Sequence, residues 1–437
     1  MRTLPHIEPG WRFALPPRTE MVLPNGLTVT AVARRSVPLV ELRLSVPAST
    51  TDLAADALLA QTLFTGVPGM SAAEIAVETQ AIGGALSAKA DPDRWLVTGS
   101  ALASGLDRLL ELLAQALRHA VHPDREVAVE RERLAGRVQV ALSQPGSIAK
   151  AELLKRVYGD HPYGVEIPCA ASVRAVVPER VRELHRTRMS PRGAGLVLVG
   201  DIDPDAAVEL AARRLGDWAG EGTAASTPPA PPVRPGPLLL VDRPGAVQST
   251  IRIALPSPGR EHLDNAPLQL ANLVFGGYFC SRWTENIRED KGYSYTPTSM
   301  IDHSRAGSIL MLSADVATEV TVPALVETFY ELGRIVALPP SAAEVGQARR
   351  YALGALQLSM ATQAGLAGLT GALAGFGLRL DYLAAHAERL ASATPEDLHR
   401  AAQAYMGPAR ASAVVLGDAA RFAGALATVT DVEVAAR

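Results

Sequence analysis

Arg288 and Tyr295 stand seven residues apart in the stretch RWTENIREDKGYSYTP (282–297), on either side of Gly292. A guanidinium and a phenol both donate hydrogen bonds, and both can meet a carbonyl oxygen or the oxyanion of a tetrahedral intermediate. Glycine is the residue that most readily ends a helix in the left-handed conformation. The stretch therefore predicts a charged helix with Ser281 near its start and a stop at Gly292. A strand should follow, with Tyr293 and Tyr295 on one face. Around such a bend Arg288 and Tyr295 could grip a peptide backbone while Tyr293 packs inward. The competing reading is a surface arginine and a tyrosine half-buried in a sheet.

No reacting group accompanies the pair. The sequence contains no HExxH, HxxEH or CxxC. The segment RHAVHPDREVAVERE (118–132) offers His119 and His122, followed by Asp124, Glu130 and Glu132. Histidines three apart can share a helix face, but Pro123 marks a helix boundary, and the segment reads as a solvated helix end. SIAK (147–150) has the spacing of Ser/Lys hydrolases, in which Lys150 would deprotonate Ser147. Its usual companions SDN and KTG are missing, and Ser147 is expected to cap a helix after Pro145-Gly146. GAGLVLVG leads into a strand instead of opening a helix, so it is no phosphate cradle and no nucleotide site is supported.

The elements that position these residues belong to more than one domain, since 437 residues exceed a typical single core. A net charge of −3 with scattered Lys and Arg argues against a nucleic-acid or polybasic membrane surface. Cys169 and Cys280 are far apart in sequence and are expected to be buried thiols. The first residues lack the apolar run of a secretory signal. AGLAGLTGALAGFG (364–377) is too short for a membrane span and is followed by Arg379 and Asp381. Its Ala/Gly surface suits close packing within a protein, and a cytoplasmic location is expected.

An internal duplication organises the chain. VPERVRELHRTRMSPRGAGLVLVGD (177–201) aligns without gaps on TPEDLHRAAQAYMGPARASAVVLGD (394–418). Both copies share a Pro-Glu helix start, an amphipathic helix, a proline break, an apolar strand and a final Gly-Asp. Between them lies AGEGTAASTPPAPPVRPGP (219–237), with the composition of an extended linker. The expected domains are 1–218 and 238–437. In the first, Asn25-Gly26 should turn a hairpin, LVELRLSVPA should form a strand, and TDLAADALLAQTLF a helix capped by Thr51 or Asp52. A second hairpin and helices over 104–119 and 125–142 should follow. Strands grouped with helices in each half predict an α+β fold with mostly antiparallel sheets.

Taken in order, LPNGLTV, the helix ending LFTG, SAAEIAVETQAIGGALSA, VERERL, HPYG (161–164), RTRMSPRGAGLVLVGDIDP and FGGYFCSRWTENIREDKGYSY resemble the M16 metallopeptidases. The resemblance is to the short bacterial M16B subunits related to mitochondrial processing peptidase, and it spans about residues 20–420. It implies two homologous domains per subunit and two subunits closing around a peptide. Active members carry HxxEH on the helix before LFxG, with two His on Zn²⁺, the Glu as general base, and a later Glu completing the site. Here Ala57, Ala60 and Gln61 occupy the positions of first His, Glu and second His. Neither alanine can bind metal or take a proton. Glu130 or Glu132 alone could match the third ligand, and one carboxylate cannot hold zinc. The family's other catalytic segment, RExxGxxY, is intact as REDKGYSY and places Arg288 and Tyr295 at the matching positions. The resemblance thus implies a subunit with no cofactor of its own, paired with an HxxEH-bearing M16B partner that holds Zn²⁺, and acting on peptides. The alternatives are, from a different class, a catalytically silent M16-like scaffold or assembly subunit and, third, an independent Ser147/Lys150 hydrolase.

Overall fold

The computed structural model describes residues 14–48, 52–220 and 227–435. Two six-stranded sheets organise it, one from each half of the chain. The first contains β1 (Arg18–Val22), β2 (Thr28–Ala33), β3 (Leu39–Pro47), β4 (Ala85–Asp91), β5 (Arg94–Leu102) and β6 (Gly195–Gly200), in the order β1-β2-β6-β3-β5-β4. The second contains β7 (Leu238–Asp242), β8 (Gln248–Pro256), β9 (Thr298–Ser304), β10 (Gly307–Ala317), β11 (Ser412–Gly417) and β12 (Val432–Val434), in the order β9-β10-β8-β11-β7-β12.

Read from opposite ends, the two orders share five strands, β2-β6-β3-β5-β4 matching β7-β11-β8-β10-β9. The sixth differs. In the first sheet it is the hairpin partner β1, antiparallel to β2; in the second it is β12, parallel to β7. Both sheets are mixed with antiparallel pairing in the majority, and helices pack against them, so the fold is α+β. The duplicated stretches form equivalent pieces, helix Pro178–Arg188 leading to β6 and helix Pro395–Tyr405 leading to β11.

All six residues of β6 and all six of β11 are buried, which explains their unbroken apolar sequence. Alternate side chains feed different cores. Leu196 and Leu198 join the main core of the first half, while Val197 and Val199 face a second cluster with Leu366, Ala367 and Leu373. Those last residues belong to helix Gln363–Gly375, which crosses from the second half to cover the first sheet. The reciprocal exchange is made by helix Pro145–Tyr158. Its Ala149, Leu153 and Val157 cover Ala254, Val414 and Leu416 of the second sheet. Each half therefore completes the other's core.

The Ala/Gly run of 364–377 serves this exchange. A Cβ added at Gly371 would come within 2.8 Å of the Arg43 Cβ on β3, so the helix can lie this close only with glycine there. No helix among the described residues is long and apolar enough to cross a membrane. The described end of the Pro/Ala-rich connector, 227–237, has neither helix nor strand. It is nonetheless docked: the Ala230 N–H donates to the Ala306 carbonyl at 2.9 Å, and the Arg156 guanidinium donates to the Pro237 carbonyl at 2.6 Å. Residues 221–226 of the connector lie outside the described residues, as does Thr51. The helix it was expected to cap, Leu53–Thr62, is capped by Asp52, whose side chain accepts from the Ala55 N–H at 3.2 Å.

Candidate functional site

The segment holding Arg288 begins at Ser281, a buried N-cap. One α-helical turn, Arg282–Thr284, is followed by a π-helix, Glu285–Asp290. A wider turn of this kind is costly and recurs at functional sites. Here its inward side is fixed at several points. Trp283 is fully buried, stacks on Phe275 at 5.4 Å between ring centres, and donates to Thr328 Oγ1 at 3.0 Å. Arg282 makes a two-pronged bond to Glu344 at 2.6 and 3.0 Å. That guanidinium, aided by Ser341, holds the Glu344 carboxyl down at about 2. The Asn286 amide donates to Glu327 and Glu331, both at 2.9 Å, and Lys291 reaches Glu327 at 2.8 Å. The Lys291 ammonium and the Asn286 amide keep the Glu327 carboxyl below its usual range.

Gly292 ends the segment with φ +62°, the left-handed stop expected of it. Its N–H donates to the Arg288 carbonyl at 3.1 Å, and the Tyr293 N–H donates to Ile287 at 2.7 Å. The expected strand does not follow at once. Residues 293–297 form a loop, and β9 begins only at Thr298. The reason is that the Ser294 N–H also turns back to the Ile287 carbonyl, at 3.2 Å, while its hydroxyl donates to the Asp315 carbonyl. These local bonds take the groups a sheet ladder would need. Tyr293 packs against the core of the second half, and Tyr295 stays 79% exposed.

On the outward side, Arg288 and Tyr295 are brought together. The guanidinium carbon of Arg288 lies 4.8 Å from the centre of the Tyr295 ring and 4.5 Å from that of Phe279. Its Nε is 3.1 Å from a Glu289 carboxylate oxygen, and its side chain is 26% exposed. Among the described residues its terminal Nη groups meet no protein acceptor at hydrogen-bond distance. The arrangement offers a cation set over two aromatic rings, with donors left for a ligand, beside an accessible phenol. Such donors can stabilise negative charge on an oxygen.

The helix Leu53–Thr62 carries the other sequence-derived positions. Ala60 is buried, Ala57 and Gln61 are half-buried, and Gln61 Oε1 accepts from Arg137 Nη2 at 3.3 Å. Ala57 and Gln61 lie one turn apart on one helix face, where two metal-binding side chains would have to project. They do not fit zinc: two positions lack donor atoms, the third is a neutral amide, and the neighbouring Arg137 is itself a cation. Glu130 is paired with Arg133 at 2.7 Å, and Glu132 lies 3.4 Å from Arg174. Among the described residues no group of three or more His, Cys, Asp or Glu is placed to hold a metal ion.

Several other expectations are corrected. His119 is exposed at a helix end, but His122 is fully buried, with φ +43°. Its Nδ1 is 2.8 Å from Thr62 Oγ1, and its Nε2 is 2.7 Å from Nδ1 of His185. His185 Nε2 in turn lies 2.9 Å from the Leu117 carbonyl. With both rings neutral, His185 donates to Leu117 and accepts from His122, which leaves His122 Nδ1 as an acceptor for the Thr62 hydroxyl, whose proton is shared with the Leu58 carbonyl at 2.8 Å. Burial, with the neighbouring His185 and Arg182 adding to it, pushes His122 down to about 3. One hint was legible beforehand, His185 on the apolar face of a helix otherwise rich in charge. Nothing marked its partner across the helix pair.

Ser147 does not cap its helix, which starts at Pro145 with Gln144 as N-cap, and Lys150 is engaged by Glu166 at 2.5 Å. Both cysteines are exposed. Cys169 sits at the surface as the N-cap of helix Ala170–Ala175, its sulfur accepting from the Ser172 N–H at 3.3 Å. Phe279 was overlooked in the sequence, although it lies among the aromatic residues clustered over 275–295.

Comparison with known proteins places this geometry in a family. Residues 57–171 match the model of the insulinase peptidases, family M16, and residues 175–351 match that of the peptidase M16 inactive domain. An uncharacterized zinc protease of Mycobacterium tuberculosis is 26% identical over 300 residues, covering 66% of this chain and 68% of the relative. One of Mycobacterium leprae is 25% identical, covering 55% of each. Among solved structures, a peptidase M16 inactive domain from Pseudomonas fluorescens superposes with a TM-score of 0.82 at 22% identity, over 92% of this chain and 98% of that one. A protease from Helicobacter pylori superposes with a TM-score of 0.86 at 18% identity, over 92% and 100%. At those identities the superpositions speak for the fold. With two models of one family matched in tandem and two M16-type domains in the fold, the chain belongs to the M16 peptidase family.

Proposed function

We propose that this chain is the non-zinc-binding subunit of a heterodimeric M16B peptidase, with Arg288 and Tyr295 acting in trans at the zinc site of an HxxEH-bearing partner. The observation that carries the reading is the pairing of Arg288 with Tyr295. A buttressed π-helix and a glycine stop hold a guanidinium and a phenol side by side at the surface, with donors to spare and no reacting group of their own. Peptide-bond hydrolysis builds negative charge on the carbonyl oxygen as water adds, and two fixed donors there lower the barrier. The zinc and the general base belong to the partner, because Ala57, Ala60 and Gln61 supply neither. The M16 inactive-domain match over residues 175–351, which includes the pair, is in keeping with such a division of labour. Peptides, among them leader segments removed from precursors, are the substrate class, and the cytoplasm is the proposed site of action.

The second reading is an M16-like scaffold without a catalytic part, favoured by the loss of all three motif residues at 57, 60 and 61. One experiment separates the two. The chain is reconstituted with its zinc-site partner, and peptide cleavage is measured for the wild type and for Arg288→Ala combined with Tyr295→Phe. Loss of cleavage with the pair still co-eluting supports the proposal. Unchanged turnover leaves the scaffold. The hydrolase reading is disfavoured by the ion pair that occupies Lys150.

A further inference from the structure

The structure assigns to Phe279 the part of a positioning residue that, with Tyr295, clamps the Arg288 guanidinium in its working orientation. The inference rests on the reading of Arg288 given above. An arginine side chain has four rotatable bonds and loses rotamer entropy of about 2 kcal/mol when held, so a guanidinium aimed at a substrate must be restrained by something. Hydrogen bonding does little of this for Arg288. Among the described residues the charged group paired with it is Glu289, next in sequence and 52% exposed, and an ion pair of that kind in water is weak. What remains are the two rings, at 4.5 and 4.8 Å from the guanidinium carbon. Stacking on rings takes up the faces of the cation and leaves its in-plane N–H groups free, which is what a donor to a substrate oxygen requires.

Phe279 is itself held for this task. The π-helix Leu273–Gly277 ends in Gly276 and Gly277, and a Cβ at Gly276 would come within 2.8 Å of the Trp283 ring. The chain leaves that close contact fully extended at Tyr278, whose ring lies 4.9 Å from that of Tyr351. Three residues on, Ser281 is buried and its hydroxyl donates to Thr284 at 2.9 Å. Phe279 thus projects from a backbone pinned on both sides, although 57% of its own surface faces solvent. Phe279 lies outside the buried cores, and among the described residues its ring face is met by Arg288. Tyr295 can both clamp and donate. Phe279 has no polar atom and can only position.

The test uses the full chain, alone and reconstituted with its zinc-site partner, carrying Phe279→Leu, Phe279→Met or Phe279→Tyr. In the chain alone, nitrogen-15 relaxation of the Arg288 Nε–H reports the order of the side chain. Order should fall in the Leu and Met variants and return in the Tyr variant, with the melting temperature and the Arg282 Nε–H signal unchanged. In the reconstituted pair kcat should fall about two- to fivefold for Leu and Met at unchanged KM, the scale of one exposed cation–π contact, and recover for Tyr. Unchanged Arg288 order in both the Leu and Met variants overturns the inference, whatever the activity. If instead Arg288→Ala leaves turnover intact, the catalytic reading fails, and the relaxation data still decide the clamp. Two apolar variants of different shape ensure that a folding defect in one does not remove the test.

Discussion

The guanidinium of Arg288 rests on the ring of Tyr295, its carbon 4.8 Å from the ring centre, although a left-handed glycine and five further residues separate them in sequence. The contact follows from the π-helix, whose wider turn is closed by the Gly292, Tyr293 and Ser294 amides folding back on Arg288 and Ile287. Two side chains that a regular helix and strand would send apart are thereby set side by side. A lysine at 288 would keep the charge but lose the plane that lies on the ring and the forked donors. Arg288→Lys is therefore expected to lower kcat of the reconstituted pair by about 10²-fold, within the range for a lost oxyanion donor, with the partner's affinity unchanged. Steady-state kinetics and co-elution check both halves of the statement.

Acid should loosen the fold through its buried histidines. Burial pushes His122 and His303 down to about 3 and His386 to about 4, each below the ordinary value near 6.5. The folded state holds these rings neutral, and the unfolded chain takes up protons as pH falls below about 6.5. Their contribution is thus complete above that pH and is lost progressively on the way down to the folded values. Each such ring adds a slope of about 1.4 kcal/mol per pH unit across the window between. Urea midpoints should drop between pH 7 and pH 5. His122→Asn, which tolerates the positive φ, should be less stable at pH 7 and show a shallower dependence on pH.

The duplication, the Asn25-Gly26 hairpin and strands such as β3 and β6 were legible in the sequence because each follows from local periodicity and turn chemistry. The glycine stop at 292 was legible for the same reason. What escaped was decided by contacts between segments remote in sequence. His122 looked solvated because the proline after it ends a helix, and its burial depends on Thr62 and His185 arriving from two other helices. The π-helical turns are invisible to a 3.6-residue period. The exchange of helices Pro145–Tyr158 and Gln363–Gly375 between sheets lies beyond any one segment's pattern, although the Ala/Gly face of the second was a fair sign of close packing.

That exchange makes a prediction of its own. Leu366 belongs to the second half of the sequence, is 1% exposed, and packs with Val197 and Val199 of β6 in the first. Leu366→Ala should cost about 2–5 kcal/mol, the usual range for a buried leucine whose site cannot fully collapse. The loss should appear in the first sheet. Hydrogen exchange at the amides of residues 195–200 should speed up as much as exchange in the second sheet. Protection that fell only in the second half would mean that the two halves do not share a cooperative core.

Gly292 tests the bend directly. A Cβ built there meets nothing within 4 Å, so the cost of Gly292→Ala is the backbone alone, held at φ +62°. For an ordinary side chain in that conformation the penalty is about 1 kcal/mol. The chain can avoid it by relaxing φ, which breaks the bonds from Gly292 to Arg288 and from Tyr293 to Ile287 and swings the loop that carries Tyr295. If the bend only ends a helix, the variant loses about 1 kcal/mol of stability and keeps its activity. If the bend exists to seat Tyr295 on Arg288, cleavage by the reconstituted pair falls further than stability does, and Gly292→Asn, which accepts the left-handed conformation more readily, restores part of both. Melting temperatures and kcat measured on the same three proteins distinguish these outcomes, and the second is expected.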